Sequence, residues 1–138
     1  MSYNELIRNV EIYRPYPDEV PWDLLETTES AEADLAAVLE LDFLRVAKLH
    51  GTAAGAYGIR PLTAIRYELV VLVVAEPYRR RGLGRWLLGH AIGLAETKGG
   101  REIVARGTAA RGAPAQRLLG AVGFAPQGSD LLLRLTPE

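Results

Sequence analysis

The stretch that decides the fold is ELVVLVVAEPYRRRGLG, running from Glu68 to Gly84. Its apolar core, Leu69 to Val74, does not alternate between apolar and polar residues. A strand that is apolar on both faces belongs at the centre of a sheet with helices covering each side. Glu76-Pro77 ends the strand, because proline has no N–H for a ladder. A helix is predicted from Leu83 to Lys98, with Leu83, Leu87, Ala91, Leu94 and Ala95 as its buried stripe and Gly99-Gly100 as its stop.

Working outward from this unit, Ala64 to Ala75 is predicted as the full central strand, preceded by strands over Phe43 to Leu49 and Ala53 to Ile59 that turn at Gly51-Thr52. Val10 to Tyr13 reads as a first strand closed by Pro15 and Pro17, and Glu19 to Glu26 as a short helix behind Asp18. Ser30 caps a further helix carrying Leu35, Val38 and Leu39. Beyond the decisive stretch come a strand over Ile103 to Arg106, a helix from Pro114 to Gly123, and strands over Phe124 to Pro126 and Leu131 to Leu135. The order is that of a mixed α/β sheet, and 138 residues without a visible linker or repeat read as one domain, residues 1–138.

Composition narrows the chemistry. With 49% hydrophobic residues the chain is no disordered polymer. The absence of cysteine excludes a disulfide scaffold, a thiolate zinc site and a cysteine nucleophile, and two histidines are too few for most histidine-ligated metals, so no metal is expected. No signal peptide opens the chain and no apolar run approaches a membrane span, so a soluble cytoplasmic protein is expected. The formal net charge of −1 hides a division. Residues 1–42 hold two Arg against eleven acids, net −9, while residues 43–138 hold fourteen Lys/Arg against six acids, net +8. A basic half suits an anionic partner, or the two halves simply pair in the fold.

The turn Arg79-Arg80-Arg81-Gly82-Leu83-Gly84, with Arg85 beyond it, lies between the central strand and a helix start. Amides at that point have no intrahelical acceptor, and the helix dipole adds partial positive charge. Glycines 82 and 84 let a bulky group approach the main chain, and arginines crowd the same turn. These are the parts of a phosphate or pyrophosphate cradle. The loop is neither a Walker loop, which needs Gly-Lys-Ser/Thr, nor a dinucleotide fingerprint, since Arg79 stands where the first glycine belongs. A long polyanion fits less well, because nothing but Tyr78 is interleaved to stack bases, so nucleic acid is an unlikely partner on this reading.

With these residues in view, the chain resembles the GNAT superfamily of acyl-CoA-dependent N-acyltransferases. Glu68 to Gly84 is similar to that family's fourth strand and pyrophosphate loop, and Arg106-Gly-Thr-Ala-Ala-Arg-Gly112 with Leu118-Leu-Gly-Ala-Val-Gly-Phe124 to its fifth strand, fourth helix and terminal Gly-Phe element. The resemblance is clear over residues 64–126 and weaker upstream, where Pro21-Trp22-Asp23-Leu24-Leu25 is similar to one bacterial subset. It implies a mostly antiparallel sheet of six or seven strands flanked by helices, with the fourth and fifth strands splayed. Acetyl-CoA is then the co-substrate. Main-chain groups of Leu72, Val73 and Val74 would hold the pantetheine arm, and the amides of Arg79, Arg80, Arg81, Gly82, Leu83 and Gly84 the pyrophosphate, with the Arg79, Arg80 or Arg85 side chains in reach of phosphate. The implied reaction is direct attack by a neutral amine, on a small molecule, polyamine or peptide. Dimers are frequent in this family, so a homodimer is a possible assembly.

Two positions depart from the family pattern. Where many relatives carry an asparagine and a tyrosine near the coenzyme sulfur, this chain has Ala110 and Leu119. Leucine donates no proton, so the usual general acid is missing, with Tyr57, Tyr67 and Tyr78 as the remaining phenols. That departure leaves open a second reading, a module that binds acyl-CoA as ligand or sensor with little turnover. Glu68 is the base candidate, since it opens the central strand and no other acid falls between Asp42 and Glu76. A strand-end carboxylate paired with Arg66 or another arginine accounts equally well for it. His90 is expected to pack beside its helix stripe and His50 to sit in a turn, while Trp22 and Trp86 read as packing anchors. The acidic segment from Glu26 to Asp34 is either a solvated helix face or a lure for a cationic acceptor.

Overall fold

The computed structural model describes residues 2–25, 43–106 and 113–135. The helix expected after Ser30, the acidic segment Glu26 to Asp34 and Ala110 lie outside them. The described elements are α1 (Tyr3–Asn9), β1 (Val10–Tyr13), α2 (Trp22–Leu25), β2 (Leu44–Leu49), β3 (Thr52–Pro61), β4 (Arg66–Val74), α3 (Leu83–Thr97), β5 (Glu102–Ala105), α4 (Ala113–Val122), β6 (Ala125–Gln127) and β7 (Asp130–Arg134). One seven-stranded sheet runs in the order β1-β2-β3-β4-β5-β7-β6. Every pairing is antiparallel except β4 with β5. The central position expected for residues 69–74 is therefore correct, and the mixed α/β class with it.

The two faces of the sheet carry separate cores. On one face Leu6 of α1, Leu83 and Leu87 of α3 and Leu119 of α4 pack with Tyr57, Tyr67 and Leu69. On the other face Leu25 of α2 packs with Val46, Ala56, Val71 and Val73. A strand buried on both sides has no polar face to reveal its register, which is why residues 69–74 show no alternation.

The structure departs from expectation at the N-terminus. Helix α1 was not foreseen, because seven residues with one buried leucine give no resolvable period. Its signal is the pair Ser2 and Glu5, in which the Ser2 hydroxyl accepts the Glu5 N–H at 3.2 Å. The helix expected over Glu19 to Glu26 breaks into a 3-10 turn over Pro17–Glu19 and the single turn α2. Pro21 is the cause. It holds Val20 extended, at φ −68° and ψ 124°, so the turn cannot run on into the helix.

Helix α4 ends as the sequence indicates, and its geometry gives the Gly-Phe element a physical purpose. Gly123 sits at φ 117°, where a side chain is strained, and donates to the Gly120 carbonyl at 3.1 Å, while Phe124 donates to the Leu119 carbonyl at 3.0 Å. This pair of bonds is a Schellman cap. Its outer residue, Phe124, and its inner one, Leu119, are both buried in the same core.

Candidate active site

The site begins with a fault in β4. Ile59 pairs with Leu69 and Gly58 with Val71, so Val70 is an extra residue with no opposite number on β3. This bulge moves the alternation by one. Tyr67 and Leu69 point to the α3 face before it, whereas Leu72 and Val74 do so after it and Val71 and Val73 turn to the α2 face. Bulges also sharpen local twist. The parallel register with β5 stops at the same level, at Leu69 with Ala105, although β4 continues to Val74. Ala105 is also the last residue of β5, so the pairing ends there while β4 runs on.

Main-chain direction beyond that point follows from one hydrogen bond. Ala75 donates its N–H to the Ala54 carbonyl at 2.8 Å, so Ala75 faces β3. Alternation then turns Val73 to β3 as well, and sends the main-chain groups of Leu72 and Val74 to the opposite side of β4, the side on which β5 lies. The Val74 carbonyl accepts Arg79 Nε at 2.9 Å, so the Arg79 side chain folds back onto the strand. Arg80, Arg81 and Arg85 instead line an open depression of about 460 Å3 with Gly82 and Tyr3.

The loop between β4 and α3 is a 3-10 turn over Glu76–Tyr78 followed by left-handed residues at Arg80, φ 63°, and Gly82, φ 89°. Gly82 is the N-cap of α3 and has no side chain to cap it, so first-turn amides of this fifteen-residue helix keep no intrahelical acceptor. A Cβ on Gly82 would lie 2.6 Å from Cδ1 of Tyr3. The room left by its missing side chain is therefore filled by an aromatic ring from α1. A Cβ on Gly84 would meet only Leu118 and Val74, at 3.5 and 3.6 Å.

Glu68 lies one rung before the last β4–β5 pair, opposite Arg60 of β3 and Val104 of β5. It is only 6% exposed and is the one buried charged side chain among the described residues. Its Oε1 accepts from Arg60 Nε at 3.0 Å and Nη2 at 2.9 Å, and from Arg106 Nη2 at 2.9 Å. The partners are thus Arg60 and Arg106, while Arg66 bonds the Gln127 side chain at 3.1 Å. Neither arginine of this clamp was singled out in the sequence. Arg60 is marked only by its register opposite Glu68, which requires the β3–β4 pairing to be known.

Leu119 and the three phenols singled out in the sequence, Tyr57, Tyr67 and Tyr78, are all buried or half-buried. Leu119 is 1% exposed and belongs to the core. Tyr57 is fully buried, and its hydroxyl shares a hydrogen bond with His90 Nδ1 at 2.6 Å. Burial pushes the Tyr57 phenol up to about 12, with Arg45 opposing, and burial followed by Arg45 pulls the His90 imidazole below its usual range. Two neutral partners are the result, a pin between β3 and α3 with the Trp86 ring 5.9 Å from the imidazole. Tyr67 is buried edge-on to Phe43, and Tyr78 is half-buried against the same core. His50 stands in the β2–β3 turn at φ 51°. Among the described residues no group of three or more His, Asp or Glu side chains forms a metal cluster, and no helix is long and apolar enough to cross a membrane.

A bulged central strand leading into an arginine-lined helix start is the arrangement that the family resemblance implies, and the comparisons agree with that resemblance. A sequence model of the acetyltransferase (GNAT) family matches residues 6–124, and the chain belongs to that family. No curated protein sequence matches it. Among solved structures, a GNAT acetyltransferase from Elizabethkingia anophelis with acetyl-CoA bound superposes with TM-score 0.81 at 21% identity, over 92% of this chain and 99% of that one. The Bacillus subtilis acetyltransferase in complex with CoA gives TM-score 0.77 at 22% identity, covering 93% and 99%. An IAA acetyltransferase from Bacillus cereus gives TM-score 0.73 at 26% identity, covering 84% and 77%.

Proposed function

We propose that this protein is an N-acetyltransferase that moves an acetyl group from acetyl-CoA to a primary amine by direct attack in a ternary complex. The carrying observation is that β4 runs on past its last pairing with β5, with the main-chain groups of Leu72 and Val74 turned away from β3, and leads directly into the Arg79–Gly84 turn. The backbone of Leu72 and the N–H of Val74 take the pantetheine arm, with Val73 packing beneath them. Amides from Arg80 through Gly82 and Leu83 to Gly84 take the pyrophosphate, the Arg79 N–H being bonded to the Glu76 carbonyl at 3.2 Å, and the Arg80, Arg81 and Arg85 guanidiniums back them. These donors and acceptors exist in the fold before any ligand arrives, which is the condition for a site of low reorganisation cost.

Glu68 is assigned two roles. Through Oε1 it ties β4 to Arg60 of β3 and to Arg106, the residue just past β5. Its carboxylate also takes the proton of the attacking ammonium through one water. With Leu119 in the core, the thiolate leaves without a side-chain acid, which is tolerable for a group whose ordinary pKa is about 8.5. The acceptor is a small-molecule or peptide amine, and the setting of the reaction is cytoplasmic.

Buried Leu119 at the position of the family's tyrosine favours one second reading, a fold that binds acyl-CoA as a ligand with little turnover. Thiol release from acetyl-CoA over a panel of amines, amino acids, polyamines and peptides separates the two. Amine-dependent release supports the enzyme, whereas stabilisation by CoA with no release across the panel supports the sensor. Neither release nor thermal stabilisation by CoA would overturn both.

A further inference from the structure

The loop reading leaves one side chain unexplained. Tyr3, at the start of α1, lays its ring against Gly82, with Cδ1 and Cε1 2.6 and 2.9 Å from where a Cβ would stand. Helix α1 is held there by Leu6, fully buried with Leu83 and Leu87 of α3. The ring is nevertheless 45% exposed, and it forms one wall of the open depression shared with Arg80, Arg81, Gly82 and Arg85. At about 460 Å3 this depression is of the size of small-molecule sites, roughly 300–1,000 Å3. Its lining combines one aromatic face with three guanidiniums, which is the chemistry of a flat heterocycle attached to phosphate. Tyr3 lies just before the family match, which begins at residue 6.

We infer that Tyr3 is a nucleotide-binding residue, its ring packing against the adenine nucleotide end of the coenzyme while the arginines beside it take the phosphates. The inference rests on the acyl-CoA reading of the loop. Packing on Gly82 places the ring on the side where a side chain would grow. The first-turn amides of α3 remain available to the pyrophosphate beside it. A ring that merely filled space would serve equally well as leucine, whereas a stacking ring cannot be replaced by an aliphatic side chain.

Calorimetric affinities of full-length wild type, Tyr3→Phe, Tyr3→Trp and Tyr3→Leu are measured for CoA, adenosine 3′,5′-bisphosphate and 4′-phosphopantetheine. Melting temperatures serve as a control, and Leu retains apolar cover over Gly82. The expected result is about a tenfold loss for CoA and for the bisphosphate in Tyr3→Leu, with Phe and Trp close to wild type and phosphopantetheine unchanged throughout. The proposal is overturned if Leu binds the bisphosphate as wild type does, or more tightly, which would make the ring a cover over the site. Equal loss for both halves of the coenzyme would overturn it too, as a general effect on the loop. If wild type binds none of the three probes, the acyl-CoA reading itself fails, an outcome distinct from the others.

Discussion

Replacing Glu68 by glutamine keeps the shape of the side chain and removes its charge. The oxygen that now accepts three contacts from two guanidiniums, at 2.9 to 3.0 Å, becomes a neutral acceptor, and the amide nitrogen cannot accept at all. Removing one partner of a buried ion pair costs about 3–5 kcal/mol, because the survivor is left charged and dry. Here the survivors are only partly dry, since the Arg60 side chain is 23% exposed and that of Arg106 42%. Water resolvates both, and we reduce the expected cost to about 2 kcal/mol. For a domain of this size that lowers the melting temperature by about 6–8 °C. Thermal and urea unfolding of Glu68→Gln read this value directly, and a melting temperature unchanged within about 1 °C would refute the clamp. Initial rates of thiol release against pH, taken well below the melting transition, read the second role. Loss of a general base lowers kcat by about 10²–10⁴ and changes the pH dependence of the rate. A variant that melts early yet keeps rate and profile would leave Glu68 as a purely structural residue.

Other consequences are equally direct. Tyr57→Phe leaves His90 Nδ1 without its hydrogen-bond partner and should cost about 1–2 kcal/mol in urea unfolding. Because the folded His90 titrates below the ordinary value near 6.5, the unfolded chain binds more protons in between. Its contribution is present above 6.5 and fades as pH falls through the folded value, so His90→Asn should flatten the fall in melting temperature on the acid side. Tyr57, pushed up to about 12, contributes fully below pH 10 and loses that contribution as pH climbs to 12, so its phenolate absorbance should appear only near the upper value. Gly82→Ala forces a side chain to φ 89° and into the Tyr3 ring, and should cost about 1–2 kcal/mol. Combining it with Tyr3→Ala should relieve part of that cost, and strict additivity would show that the ring does not rest on Gly82. Leu119→Tyr should destabilise by about 1–3 kcal/mol through overpacking, without raising kcat, and a gain in turnover would show that the position faces the sulfur after all.

Much of this architecture could be read along the chain because the signals are local. The apolar run after Glu68, the glycines that stop both long helices and the prolines that end β1 and β4 each act within a few residues of themselves. Helix α1 escaped that reading because one buried leucine makes no period, and the split around Pro21 because a proline near a helix start is ordinarily tolerated. The arginine turn was legible for the same local reason, as a run of charge and glycine where a strand meets a helix.

The sequence by itself determined the class of fold, the family resemblance and the place of the arginine-glycine loop, since each depends on patterns carried by contiguous residues. Only the tertiary structure decided what Glu68 touches, which backbone groups of β4 turn away from β3, and what occupies the space above Gly82. Arg60 comes to Glu68 from β3 and Arg106 from just past the end of β5. The bulge at Val70 lies within a run of Leu and Val whose members look alike in sequence. Tyr3 stands 79 positions before Gly82 in the chain. Contacts of that kind are fixed by strand register and helix docking, which bring distant residues together and leave no periodic trace in any one segment.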